Sequence, residues 1–259
     1  MNKEQVLLEI KNVRKSFGHV EALKGVSFNV HSGEVVGLLG DNGAGKSTLI
    51  KSIMGVHHPD SGKITFKGKD ICNLSPREVR MLGIEAVPQG GAVVQFMDIT
   101  RNFFLGRELQ KSFGFLKVLD LAQMEREAEK IITEIGVRVR SPRGRVSALS
   151  GGERQAISIG RVLHFQSSLV LLDEPTQNLS VKETDKLLQS ISEMKAHGIG
   201  VIFVTHNVYH VYRVADKFVI LSRGDMLGIY RKEDSSAEKI IDIIRTGNAQ
   251  PGEAIQTSA

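Results

Sequence analysis

Residues Gly40-Asp41-Asn42-Gly43-Ala44-Gly45-Lys46-Ser47-Thr48 follow the spacing G-x-x-x-x-G-K-S/T. The glycines let the backbone curl so that consecutive N–H groups point inward, which suits phosphate oxygens. The helix expected from Lys46 to Met54 aims its positive dipole end at the same place. The Lys46 ammonium can bridge two phosphates of a nucleotide, and the Ser47 hydroxyl can ligate Mg²⁺. A second segment, Leu169-Val170-Leu171-Leu172-Asp173-Glu174, reads as a buried strand with two carboxylates at its C-terminal end. That is where ligands bind in open α/β sheets. Asp173 is placed to hold Mg²⁺ through a water, and Glu174 to act on an attacking water. Two acids after a strand are by themselves an ordinary loop start. With a phosphate loop upstream they point to a nucleotide hydrolase.

A third segment, Leu149-Ser150-Gly151-Gly152-Glu153, precedes a helix expected over Ala156–Leu163. Ser150 is a candidate N-cap, and the glycines leave backbone N–H groups open. Standing alone this would be ordinary helix capping. In a chain that already has one anion-binding helix start, it offers a second.

These groups need a scaffold. Leu7–Val13 and Ala22–Val30 alternate in part and read as half-buried strands. Val35–Leu39 is a continuous apolar run, as in a strand buried on both faces, and delivers the phosphate loop. Ile64–Phe66 is a short strand. From about Gln89 to Leu163 the sequence reads as mainly helical. Within Asp120–Ile135, Leu121, Met124, Ala128, Ile131, Ile132 and Ile135 form one apolar face. Strands at Leu169–Leu172, Gly200–Val204 and Phe218–Leu221 then alternate with a helix over Val181–His197. This predicts a mostly parallel sheet with helices on both faces, interrupted by a helical lobe. A last amphipathic helix covers Ser236–Arg245.

Bulk properties narrow the options. Of 259 residues, 41% are hydrophobic and 24% charged, so a packed core is expected. The net charge of +5 arises from scattered residues and does not call for nucleic acid. A single cysteine, Cys72, excludes an internal disulfide framework or a multi-cysteine metal site. No signal peptide and no apolar run near the ~20 residues of a membrane span are visible. The expectation is a soluble or peripheral protein on the cytoplasmic side.

Taken together, the three segments resemble the ABC ATPase family over nearly the whole chain. Leu149–Glu153 looks like its signature motif, with Glu153 where Gln is commonest. Gln89, after Val87-Pro88, resembles the glutamine joining core to helical lobe. His206, after Val204-Thr205, resembles the switch histidine, and Phe17 the aromatic that stacks on adenine. Asn178-Leu179-Ser180 falls at the D-loop, with Ser180 in place of the usual Asp. The resemblance implies an α/β fold: a P-loop NTPase core with an N-terminal antiparallel β subdomain and an inserted α-helical lobe. One such domain would span 1–246, with the lobe at about 89–165 and a disordered tail at 247–259. It implies ATP and Mg²⁺ as cofactors, with the metal held by Ser47, Gln89 and Asp173. Glu174 would be the base and His206 would sit near the γ-phosphate. Two motors would pair head to tail, so that Ser150, Gly151 and Gly152 serve the partner's nucleotide.

One phosphate loop and one signature make a half-motor. It would need a second copy or a related ATPase subunit and, in a transporter, separate permease subunits. Segments 98–108 and 174–184, including Ser180, resemble monosaccharide importers of the ribose, xylose and fructose type. A solute-binding protein would then be an indirect partner, and residues 90–98 would receive the permease's coupling helix. The alternative is a soluble ABC ATPase acting on nucleic acid or a protein complex. It predicts a basic cluster or an inserted domain, and the sequence has neither. A plain kinase or GTPase would leave Leu149–Glu153 and His206 unexplained.

Overall fold

The computed structural model describes residues 5–87, 94, 96–134, 141–165, 167–177 and 179–248. The chain separates into two compact units. The first takes residues 1–90, 167–178 and 185–259; the second takes 91–166 and 179–184.

In the first unit, period-two patterning produces long strands β1 (Val6–Phe17) and β2 (Val20–His31), which pair antiparallel. With β4 (Ser61–Phe66) and β5 (Lys69–Asp70) they form a four-stranded antiparallel sheet. The uniformly apolar segments become the middle of a second sheet. β3 (Val35–Leu39) and β10 (Gly200–Val204) are buried at every position, and β9 (Leu169–Asp173) is buried up to Asp173. Strand order is β12-β11-β3-β10-β9-β6, with β6 at Ile84–Val87, β11 at Lys217–Ser222 and β12 at Asp225–Arg231. All neighbours run parallel except β12, which is antiparallel to β11. Helices α1 (Lys46–Ile53), α2 (Pro76–Met81), α7 (Val208–Tyr212) and α8 (Ala237–Thr246) belong to this unit. Gly37 in β3 lets the sheet approach closely: a Cβ there would meet side-chain carbons of Phe218 and Val211 at 2.9 Å.

Register decides what the sheet delivers. Leu38, Val204 and Asp173 are cross-strand partners on β3, β10 and β9. The chain therefore leaves three adjacent parallel strands at one edge, through Gly40, Thr205-His206 and Glu174.

The second unit packs α3 (Ile99–Phe104), α4 (Leu121–Glu134) and α5 (Gly151–His164) around Phe103, Phe104, Met124, Ile132 and Ile157. α6 (Val181–Ala196) begins in this unit and continues in the first. Three expectations need correction. The stretch read as mainly helical contains a hairpin, β7 (Gln110–Phe113) and β8 (Leu116–Leu119), because Gly114 supplies a tight turn between two short exposed strands. Leu121, assigned to the buried face of α4, is 36% exposed because it sits at the helix's first position; Ile135 lies outside the described residues. The helix expected from Ala156 already starts at Gly151. The tail proposed at 247–259 lies outside the described residues from 249 on; Gly247, at φ 68°, closes α8.

Candidate functional site

Between β3 and α1 the loop Gly40–Gly45 needs backbone that only glycine supplies cheaply. Gly40 has φ 144°, and a Cβ on it would lie 2.1 Å from the Leu221 carbonyl oxygen. Gly45, at φ 104°, is the N-cap of α1. The loop is tied from outside: the Gly224 N–H donates to the Ala44 carbonyl (3.1 Å), and the Lys24 N–H donates to the Gly224 carbonyl (2.9 Å).

The loop forms one side of a cavity of about 590 Å³. Asn42 to Thr48 line it together with Asp173, Glu174, Gln177, His206 and Arg223. Sequence analysis thus named, from three distant segments, residues that meet in one place. The Lys46 ammonium is buried and donates to the carbonyls of Gly40 (2.6 Å) and Asp41 (2.9 Å). Burial pushes its pKa down, against the pull of Glu174, Asp173 and Asp41. Burial, and then the negative charge of Glu174, push the Asp173 carboxyl up, opposed by Lys46 and Lys51. A cation arriving beside Asp173 would relieve both effects. Among the described residues no cluster of three or more His, Cys, Asp or Glu side chains could hold a metal alone. A Mg²⁺ ion at Ser47 and Asp173 would therefore complete its shell with phosphate oxygens and water, as that ion commonly does.

Glu174 is held firmly. Its backbone is left-handed (φ 48°), fixed by its N–H donating to the Val204 carbonyl at 2.9 Å. Oε2 accepts from the Thr205 hydroxyl (3.2 Å) and Oε1 from the His206 N–H (3.1 Å). Nδ1 of His206 lies 2.9 Å from Oε1. An ionised carboxylate only accepts, so this contact assigns the ring proton to Nδ1.

Phe17 is not among the lining residues. It pairs with Val20 across the β1–β2 turn, its ring packs edge-on against His57 with centroids 5.1 Å apart, and it is 45% exposed. Val20, Glu21 and Ala22 line that end of the cavity. Sequence reasoning missed them, and missed Gln177 and Arg223 as well. Arg223 occupies the tight β11–β12 turn at φ 49°. The Ser222-Arg223-Gly224-Asp225 hairpin signal was legible, but nothing in the sequence placed it beside the phosphate loop.

The second unit carries Ser150, Gly151, Gly152 and Ser180. Ser150 is an N-cap: its hydroxyl accepts from the Glu153 N–H (3.2 Å), while the Glu153 carboxylate accepts from the Ser150 N–H (2.8 Å). Gly151 and Gly152 form the first turn of α5. Ser180 repeats the arrangement at α6, with its N–H (2.9 Å) and hydroxyl (2.8 Å) both donating to Glu183. A serine at this position caps a helix. Gln89, Asn178 and most of 90–98 lie outside the described residues.

The family model for the ABC transporter matches residues 23–177, which include the phosphate loop, the Ser150 segment and both carboxylates. The chain belongs to the ABC transporter family. This ABC ATPase is 42% identical over 238 residues to the xylose/arabinose import ATP-binding protein XylG of Sulfolobus acidocaldarius, covering 92% of this chain and 93% of that protein. It is 36% identical over 256 residues to the fructose import ATP-binding protein FrcA of Rhizobium meliloti, covering 97% and 98%. Among solved structures, a nucleotide-free ATP-binding cassette from an ABC transporter superposes with a TM-score of 0.77 at 27% identity, covering 93% of this chain and 96% of that one. The expected α/β cassette fold and nucleotide-driven motor role both hold. No helix among the described residues is long and apolar enough to cross a membrane.

Proposed function

We propose that the chain is the ATP-hydrolysing subunit of an importer for a small solute of the monosaccharide class, acting at the cytoplasmic face of a membrane on separate permease subunits. The carrying observation is that the Lys46 loop, Asp173, Glu174 and His206 line one cavity, in a chain whose full-length relatives are named for xylose/arabinose and fructose import.

ATP enters with its phosphates against the loop. The backbone N–H groups from Gly43 to Thr48 and the dipole of α1 bind the negative charge. Lys46 exchanges its two carbonyl partners for phosphate oxygens, whose negative charge favours the ammonium that burial disfavours. Ser47, Asp173 through a water, and Gln89 would hold Mg²⁺, which when bound would supply positive charge against the phosphates. Glu174 takes the proton of the attacking water, oriented by Thr205 and His206. The imidazole, donating from Nδ1–H to Glu174, meets the γ-phosphate through Nε2 only as imidazolium, with a proton on both ring nitrogens. A second copy or a related ATPase subunit supplies Ser150, Gly151 and Gly152 across a head-to-tail pair, so that γ-phosphate holds the pair closed until it is hydrolysed. Phe17 or its hairpin neighbour Val20 covers the adenine. A solute-binding protein delivers the sugar to the permease.

The test is co-purification from gently solubilised native membranes. A polytopic membrane protein should come down with the tagged chain. ATPase activity should then rise when a sugar-loaded solute-binding protein is added. A soluble partner or nucleic acid without a membrane protein would keep the motor and discard import.

A further inference from the structure

The β7–β8 hairpin stands apart chemically from the rest of the second unit. Every residue of both strands is exposed. A two-stranded hairpin is by itself marginal in water, yet this one carries Phe113 (76% exposed), Phe115 (96%), Leu116 (54%) and Val118 (39%). Its register sorts these residues. Phe113 pairs with Leu116 and Lys111 with Val118, which puts three apolar side chains and one lysine on one face. Ser112 pairs with Lys117 and Gln110 with Leu119 on the other face. Gly114, at φ 64°, takes the first place of the two-residue turn and leaves Phe115 at the apex. The hairpin is thus an amphipathic wedge with an aromatic tip.

Charge identifies what covers it. Residues 110–119 contain Lys111 and Lys117 and no Asp or Glu. The flanking acids serve local structure: Glu108 accepts from the Gly106 N–H (2.8 Å), and Asp120 accepts from the Gln123 N–H (3.1 Å) while lying 3.9 Å from Lys111. A second copy of this hairpin would oppose lysines to lysines. A convex aromatic tip flanked by cations matches the interfacial layer of a bilayer, where aromatic rings settle at headgroup depth and lysines meet anionic lipid.

We propose that the β7–β8 hairpin inserts its apolar face and Phe115 tip into the headgroup layer of an anionic membrane, with Lys111 and Lys117 on lipid phosphates. It gives the ATPase a lipid contact of its own. The proposal rests on the reading that the chain works at a membrane, but its test requires no permease.

The chain has no tryptophan, so Phe115→Trp introduces a sole indole at the apex. Full-length Phe115→Trp is mixed with vesicles of phosphatidylglycerol or of phosphatidylcholine. With phosphatidylglycerol the emission should shift to the blue and be quenched by brominated acyl chains; with phosphatidylcholine both effects should be weak. Lys111→Gln/Lys117→Gln in that background should lower the apparent affinity for phosphatidylglycerol about tenfold or more. In sedimentation, Phe113→Ser/Phe115→Ser should lose vesicle binding while ATP binding and basal ATPase stay as in the unmodified chain. An unshifted emission, equal response to both lipids, or sedimentation indifferent to the serine pair would overturn the proposal. So would a shift seen only in vesicles carrying the permease, which would make the hairpin a protein-docking element. Intact basal ATPase in the same preparation leaves the importer reading standing in each of those cases.

Discussion

Nδ1 of His206 and Oε1 of Glu174 lie 2.9 Å apart, and the same oxygen accepts the His206 backbone N–H. The histidine thereby aims the carboxylate that faces the phosphate loop across the cavity. In Glu174→Gln the amide oxygen can still accept from the His206 N–H and the amide NH2 can donate to the Thr205 hydroxyl, but the side chain cannot take a proton from water. Single-turnover hydrolysis should fall about 10²–10⁴-fold, with ATP affinity within about twofold of the parent. Normal hydrolysis by this variant would remove Glu174 as the base.

Gly40 and Gly43 lie in one loop and should respond differently to alanine. At Gly40 the added Cβ would sit 2.1 Å from a backbone oxygen of Leu221, with φ 144°. The clash involves two fixed backbones, so Gly40→Ala should cost about 3 kcal/mol or more and abolish ATP binding. At Gly43, φ 80° with nothing within 4 Å, the cost is conformational only, about 1–2 kcal/mol. Thermal melts with and without ATP rank the two; equal losses would mean the loop is not pinned against Leu221.

Asp173 is costly to the empty fold. Its carboxyl titrates above the ordinary 3.8 because of burial and Glu174. The folded chain therefore holds this proton more tightly than the unfolded chain, and stability falls as pH rises from 3.8 through the raised folded value. Above that window the penalty is fully present. Asp173→Asn removes it, so the nucleotide-free variant should melt higher at pH 7, on the order of 2 °C. The gain should vanish as pH drops through the window. Hydrolysis should be lost, because the group that burdens the empty fold is the one proposed to hold Mg²⁺.

Arg223 lines the cavity from the β11–β12 turn with a left-handed backbone. Asparagine tolerates that conformation, so Arg223→Asn removes the cation while sparing the turn. ATP affinity should weaken about three- to tenfold at low salt, and the deficit should shrink as salt rises. A Kd titration at two ionic strengths reads both effects. A loss independent of salt would point to damage at the Gly224–Ala44 contact instead.

The parts of this architecture that were legible in the sequence are those fixed by local rules. Val35–Leu39 and Leu169–Leu172 are apolar at every position, which only a strand covered on both faces allows, and each is followed at once by its functional loop. The β7–β8 hairpin was not legible, because its four-residue strands are shorter than any periodicity window and sit among helices. Arg223 and Val20 were out of reach for a different reason. Their place at the cavity comes from long-range hydrogen bonds, Gly224 to Ala44 and Lys24 to Gly224, and no spacing along the chain encodes such contacts. Ser180 was read against a family pattern, as the substitute for an aspartate, while its local chemistry was available three residues on in Glu183.

That local chemistry gives the last prediction. Ser180 and Glu183 bond reciprocally: the serine N–H and hydroxyl donate to the carboxylate, and the Glu183 N–H donates back to the hydroxyl at 3.4 Å. Ser180→Ala removes the hydroxyl from both exchanges and should cost about 1 kcal/mol, a fall of about 2–4 °C in melting temperature. Ser180→Asp installs the residue the family usually carries here. An aspartate caps a helix as well as a serine, but it cannot donate to Glu183 and brings a second carboxylate to within hydrogen-bonding distance of it. It should therefore recover only part of the loss at pH 7. Adding Glu183→Gln, whose amide can donate to the introduced carboxylate and still accept from the backbone, should restore the remainder in the double variant. If Ser180→Asp alone melts with the parent, the Ser180–Glu183 pairing does not explain the serine.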